Sequence, residues 1–241
     1  MRRARKNREC VRIRTNHDSH RKFEFPMYNR EVIIRFGAPN RVDNVSRGAI
    51  QFNSPTSIRK CQDKIKSKRI FRRHGIPSPN FGAKPKWHPS VKKMLVGSRG
   101  KGMTLIEDLK GASKEQDFYF EEFVECDMEF RVHVIGKKVF HVDRKHLKNG
   151  REEHWMKNTN HGYRYLETGT EKLTVKAKRS CIEAVHRLGL VFGAVDIGVN
   201  TKTREYYIYE VNSAPGLRTI TKQKYQEALI KYIKSLRIKE V

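Results

Sequence analysis

The 241-residue sequence is short of acids: 26 Asp plus Glu stand against 52 Lys plus Arg, giving a net charge of +26 and a pI near 10.1. Such a surface attracts polyanions, so nucleic acid, nucleotides or acidic protein tails are the expected partners. Cysteine is scarce too. Cys10, Cys61, Cys126 and Cys181 form no Cys-x-x-Cys pair, and no histidines stand at zinc-finger spacing. This argues against structural zinc and for the reduced thiols of a cytoplasmic compartment. No apolar run approaches a membrane span, and none follows the basic N-terminus, so neither a membrane partner nor a secretory signal is expected. Sequence-specific DNA reading lacks support as well, for there is no recognition-helix or aromatic-stacking signature.

What is present reads as a folded α+β chain. Hydrophobic residues make up 37% and charged residues 32%, polar for a globular protein yet periodic. In the first 22 residues nine basic side chains face two acidic ones, and residues 1–22 are expected to form a flexible basic arm. Residues 23–74 read as a small α/β region, with strands at "EVIIRFG" and "GAIQFNSP" and one helix across "TSIRKCQDKIKSKRIFRRHG", stopped by Gly75. "SVKKMLVGSRGKGMTLI" reads as strand, glycine-rich loop, strand, and "IGKK" as a tight turn between two strands. Leu173, Ala177, Cys181, Val185 and Leu188 recur at helical spacing before Gly189. A last helix places Tyr225, Leu229, Tyr232, Ile233 and Leu236 on one stripe. The order suggests residues 75–118 and 119–241 as two subdomains flanking a ligand cleft.

The most informative stretch is "YIYEVNSAPGL". Strand side chains alternate faces, so Glu210 and Asn212 point the same way. Upstream, "VFGAVDIGVN" carries Asp196 on an apolar strand, and "NTKTREY" is a polar turn that returns the chain antiparallel beside it. Asp196, Glu210 and Asn212 then converge, two carboxylates and an amide being a donor set suited to Mg²⁺ or Mn²⁺. A lone strand acid is usually just a solvated polar group; the paired spacing is what raises this one above that reading. The loop "VGSRGKG" is neither a P-loop nor a dinucleotide fingerprint. Its glycines Gly97, Gly100 and Gly102, with Ser98 and Arg99 between them and Lys93 on the preceding strand, nevertheless supply free amides and cations that can cradle phosphate.

Taken in order, "QDKIKSKRIFRRHGIPSP", "PSVKKMLVGSRGKGM", "FEEFVECDMEFRVHVIGKKV", "GAVDIG" and "IYEVNSAPGL" resemble the successive motifs of the ATP-grasp superfamily, over Gln62 to Leu217. The likeness is nearer to carboxylate-amine ligases that add glutamate to a ribosomal-protein tail than to D-alanine:D-alanine ligase. It implies an enzyme in which two α+β subdomains clasp ATP and Mg²⁺ or Mn²⁺, phosphorylate a carboxylate and let an amine attack the acyl phosphate. By the same resemblance, Lys64 and Lys93 bind ATP phosphates under the loop Gly97, Ser98, Arg99, Gly100 and Gly102. The adenine hinge is Glu121, Glu122, Phe123 and Val124, with the Glu121 carboxylate accepting from the exocyclic amine and the Phe123 and Val124 backbone on the ring edge. Glu129 holds the ribose, Asp196, Glu210 and Asn212 hold the metal, and Arg131 neutralises the transferred phosphoryl group, assisted by Arg144 or Lys145.

Two departures from the pattern stand out. D-alanine:D-alanine ligase has an Arg two residues before its first metal Asp, where this chain has Ala194, which moves the likeness toward the glutamate-ligase branch. That branch completes its site with an Asn after the acceptor strands, matched here by Asn158 or Asn160. The resemblance also carries the expectation of a bacteriophage-encoded member, acting in the host cytoplasm on a peptide, protein or other polyanionic acceptor. Two other functions compete: a kinase-like phosphotransferase of the same fold, and a non-catalytic nucleic-acid-binding protein that uses the basic surface.

Overall fold

A computed structural model of the chain describes residues 10–14, 21–24, 32–39, 50–95, 102–108, 115–169 and 173–236. Four strands build the first sheet: β1 (Cys10–Arg14), β2 (Arg21–Glu24), β3 (Val32–Arg35) and β4 (Ile50–Phe52), in the order β2-β1-β3-β4. Cys10–Arg14 therefore forms a strand within the stretch expected to be an arm, paired parallel to β3 and antiparallel to β2.

Two helices follow, α1 (Pro55–Gln62) and α2 (Lys64–Arg73), where one was expected. Asp63 divides them because its carboxylate accepts from the Lys66 amide at 2.8 Å, an N-cap bond that starts a new helix. Ser54 caps α1 in the same way, with Pro55 in its first turn.

The second sheet contains β5 (Phe81–Gly82), β6 (Ser90–Met94), β7 (Thr104–Ile106) and β8 (Phe118–Glu122), ordered β5-β8-β6-β7. Because β8 is an inner strand of this sheet, the smaller subdomain reaches Glu122 rather than ending at residue 118. The third sheet holds β9 (Met128–Ile135), β10 (Lys138–Leu147), β11 (Tyr163–Thr168), β12 (Phe192–Val199) and β13 (Tyr206–Asn212), ordered β11-β10-β9-β12-β13 and antiparallel throughout. Helix α3 (Val175–Arg187) packs on one of its faces. Phe130, Val132, Val134, Val142, Val195 and Ile197 meet Ala177, Cys181 and Val185 there. Each strand thus shows alternate residues to an apolar core and, on the other face, presents its polar set. Helix α4 (Thr219–Ser235) covers part of that second face, where Tyr225, Leu229 and Ile233 pack with Val32, Ile34, Phe52 and Phe192.

Two tethers bind the first sheet to the third. Asn53, buried at φ +57°, accepts from the amides of Val191 and Phe192 and donates to the Phe192 carbonyl. Gly37 sits at φ +76° so close to Ala214 that a Cβ at residue 37 would stand 2.4 Å from the Ala214 Cβ. Among the described residues no helix is long and apolar enough to cross a membrane.

Candidate active site

The polar face of the third sheet carries the expected acidic cluster. Asp196 on β12 pairs in register with Glu210 on β13, and Ala194 with Asn212. The hairpin read from the sequence forms, and all three donors converge: Asn212 Nδ2 lies 3.1 Å from Glu210 Oε1 and 3.4 Å from Asp196 Oδ2. On the other side of β12, Arg131 of β9 is the register partner of Asp196. Its Nε and Nη2 donate to the two carboxylate oxygens at 2.8 Å each. Burial alone would raise the Asp196 carboxyl, but Arg131, and after it Lys145, hold it below the usual carboxylate range. Burial likewise works against the Arg131 charge, and Asp196 outweighs it. The Tyr165 ring lies 4.5 Å from the Arg131 guanidinium, a cation-π contact, and its phenol is pushed up to about 12, by burial first and Asp196 second.

Two carboxylates and one amide are hard donors that fit a small divalent cation, and a half-turn of the Asn212 amide would present oxygen in place of nitrogen. Glu210 is exposed, so its oxygens are open to an arriving cation. Beside this centre Lys145 donates to Glu129 at 2.7 Å. Burial lowers the Lys145 pKa, but Glu129 and then Asp196 raise it further, so this ammonium stays charged. Arg144 does not join them. It alternates to the face of Val142, opposite Phe130 in the α3 core, so of the two expected assistants only Lys145 faces the site.

The second sheet and helix α2 contribute cations. Lys93 on β6 donates to Glu121 Oε2 at 2.7 Å and lies 5.9 Å from the Tyr209 ring of β13. Lys64, at the start of α2, donates to the Met94 carbonyl at 2.9 Å. Burial lowers its pKa, and Glu210, the next largest influence, raises it. Gly97, Ser98, Arg99 and Gly100 lie outside the described residues. Gly102 adopts φ +66° against the Met94 side chain.

The hinge needs correction at two points. The Glu121 carboxylate is not offered to a nucleobase: it is buried, accepts from Tyr119 Oη at 3.0 Å and Lys93 at 2.7 Å, and lies 3.1 Å from Lys68 Nζ. A strand pattern could not reveal this, because the two lysines come from α2 and from β6. The Phe123 amide is also engaged, donating to the Pro89 carbonyl at 3.1 Å, so it is not free for a ring edge. Glu122 bonds Asn80 through both its amide and its carboxylate, whereas Val124 is half-buried beside them. Asn158 is spent on structure as well. Its Oδ1 accepts from the amides of Asn160 and His161 and caps a 3₁₀ turn.

Sequence reasoning missed Lys68, Tyr119 and Tyr165. Lys68 had one legible signal, standing one helical turn after Lys64. It also assigned nothing to a buried group under α4, His133, His141 and Asp143, whose ligand atoms lie within 4.8 Å of one another. His133 Nδ1 meets Tyr225 Oη at 3.0 Å, Lys224 meets His141, and Arg218 donates to Asp143. With two cations already seated there, the group reads as a donor network around one buried carboxylate.

Comparison with known proteins gives this geometry a context. Residues 61–236 match the family model described as the RimK-like ATP-grasp domain. A probable alpha-L-glutamate ligase 2 of Shewanella amazonensis is 28% identical over 214 residues, 78% of this chain and 68% of that protein. A probable alpha-L-glutamate ligase of Alkalilimnicola ehrlichii is 26% identical over 197 residues, 73% of this chain, which spans 63% of the relative. Among solved structures, the ATP-grasp ligase PsnB complexed with minimal precursor superposes with a TM-score of 0.57 at 17% identity, covering 78% of this chain and 65% of that one. D-alanine–D-alanine ligase from Bacillus anthracis complexed with ATP gives 0.56 at 18%, covering 78% and 68%.

Proposed function

The chain belongs to the RimK-like ATP-grasp family, and from that premise we propose that it is an ATP-dependent carboxylate-amine ligase working through an acyl phosphate. The observation that supports this reading best is the neighbouring pair of charged centres. Asp196, Glu210 and Asn212 converge on β12 and β13, while Lys93 lies 5.9 Å from the Tyr209 ring of β13 and Lys64 is bonded to the end of the Lys93 strand at Met94. Such an arrangement suits a polyphosphate, whose oxygens need cations on one side and, on the other, donors for the metal ion that travels with ATP.

Carboxylate oxygen is a poor leaving group, so amide formation needs an activated acid. A substrate carboxylate oxygen attacks the γ-phosphorus as the bond to the ADP oxygen breaks. A neutral amine nitrogen then attacks the acyl carbon, inorganic phosphate departs with the bonding pair, and the proton lost from nitrogen passes to the departing phosphate or to water. Phosphoryl transfer needs charge neutralisation and in-line positioning more than covalent help. Lys64 and Lys93 hold phosphate oxygens, and Arg131, beside Asp196, meets the charge on the transferred group. Lys145 fixes Glu129 at the ribose position, and the carbonyls of the Glu122 to Val124 hinge receive the base. Asp196, Glu210 and Asn212 would hold Mg²⁺ or Mn²⁺, which when bound would supply charge neutralisation to the phosphoryl transfer.

The acid and the amine belong to an amino acid and to a peptide or protein. The net charge of +26 favours an acidic acceptor, since a polyanion is drawn to such a surface. The test is ADP release from MgATP by the purified protein, with an N-acetylated acidic peptide, which offers only carboxylates, and a glutamate diester, which offers only an amine, supplied singly and together. A ligase releases ADP only when both an acid and an amine are present and yields an amide visible by mass spectrometry. ADP release with a single substrate and a stable phosphorylated product would instead establish the phosphotransferase.

A further inference from the structure

We propose that Lys68 is a positioning residue of the ATP site, keeping the Glu121 carboxylate paired while Lys93 leaves it for a phosphate oxygen. The inference rests on the reading that the cleft binds ATP.

Lys68 and Lys64 stand four residues apart on α2 and so project from one face of the helix. The side chains of Lys68 and Glu121 are each 2% exposed, with Nζ 3.1 Å from Oε1 but out of line for a hydrogen bond. Lys93 reaches the other oxygen, Oε2, at 2.7 Å and is 14% exposed. The two lysines are therefore not equivalent. Lys68 is sealed in, whereas Lys93 is partly exposed and lies 5.9 Å from the Tyr209 ring of β13. The remaining donor to the carboxylate is the Tyr119 phenol, at 3.0 Å from Oε1.

The charges do not balance without a ligand. Lys68 and Lys93 share the single buried carboxylate of Glu121, a surplus of one positive charge beside it, and surplus charge at a buried pair is relieved by an arriving anion. If Lys93 moved onto a phosphate without Lys68 present, a buried carboxylate would be left with only a phenol as donor. Removing one partner of a buried ion pair is far costlier than exchanging partners. Lys68 removes that penalty by holding Oε1 throughout, so Lys93 can pass from Glu121 to the nucleotide. The surroundings agree: burial lowers the Lys68 pKa to about 8 against the pull of Glu121, and Glu121, which burial alone would raise, is brought down to about 2 by Lys68 and Lys93.

The experiment is calorimetric titration of MgATP into the full chain and into Lys68→Met, Glu121→Gln and the double variant, each checked by thermal melt. Lys68→Met is expected to weaken MgATP binding about 100-fold, because departure of Lys93 then strands the carboxylate. The double variant should bind within about threefold of Glu121→Gln alone, since a neutral amide neither detains Lys93 nor requires a cation. A purely structural lysine would not show that rescue. Where Lys68→Met does not fold, the double variant carries the test, and binding well below that of Glu121→Gln overturns the inference. So does Lys68→Met that binds MgATP as the wild type does. A wild-type chain that binds no MgATP would overturn the nucleotide reading and this inference together; the other two failures leave the nucleotide reading standing.

Discussion

The polar face of the third sheet and the lysine cluster of the second, the two walls of the proposed site, solve the same electrostatic problem with opposite surpluses. On the third sheet one buried acid, Asp196, is matched by one cation, Arg131, through a two-pronged contact, and the exposed Glu210 and half-buried Asn212 add further oxygen beside it. On the second sheet one buried acid, Glu121, is matched by two cations, Lys68 and Lys93. The first wall therefore has carboxylate oxygen in excess of its cations, and the second has positive charge in excess of its acid, which is what the proposed metal and phosphate sites require. Position in the sheets accounts for the difference. Asp196 and Arg131 lie on neighbouring strands and pair by register, whereas Glu121 collects lysines from a strand and from a helix of separate segments.

Breaking the first wall should have the larger effect. Glu210→Gln removes one of the two carboxylates from an exposed position, so the melt should be nearly unchanged while turnover falls by at least about 100-fold, the scale of a lost electrostatic stabiliser. Normal ADP release by that variant in excess Mg²⁺ would remove the metal assignment. On the second wall, Lys93→Ala should weaken ATP binding by about 2 to 3 kcal/mol, a lost charge-assisted contact. Calorimetry showing unchanged affinity would take Lys93 out of the site.

Acid sharpens the comparison further. The Glu121 pKa in the fold, about 2, is lower than its ordinary 4.5. Its contribution to stability is therefore complete above about pH 4.5 and is lost as the pH falls toward 2. Glu121→Gln should flatten that part of the acid limb in a pH series of denaturant midpoints, and an unchanged slope would show that the lysines do not hold the carboxylate ionised. The smallest effect lies outside both walls. Asn158→Ala should cost about 1 kcal/mol of stability, as a lost cap does, with turnover retained. A large loss of activity at full stability would return Asn158 to the site.

The acidic wall was legible because it is local. Asp196, Glu210 and Asn212 lie within seventeen residues, on strands whose alternation and turn chemistry declare their pairing, and the register then brings the donors together. Arg131 was placed by family resemblance, and its contact with Asp196 follows from strand order, which no local pattern displays. Boundaries suffered where one residue could serve two elements. Asp63 divides a stretch of helical periodicity because its side chain caps the second helix, and β8 joins the smaller subdomain because its backbone pairs with β5 and β6. Arg144 and Lys145 were indistinguishable in sequence, and only the side of the sheet separated them.

By itself the sequence determined the charge surplus, the apolar stripes of the last two helices and the hairpin that aligns Asp196 with Glu210 and Asn212, since each depends on composition or on contacts between near neighbours. Tertiary structure alone decided which cations hold Glu121, which face Arg144 takes and that Asn158 is a cap. Those outcomes depend on how segments far apart in the chain are brought together, and burial then sets the strength of every charge among them.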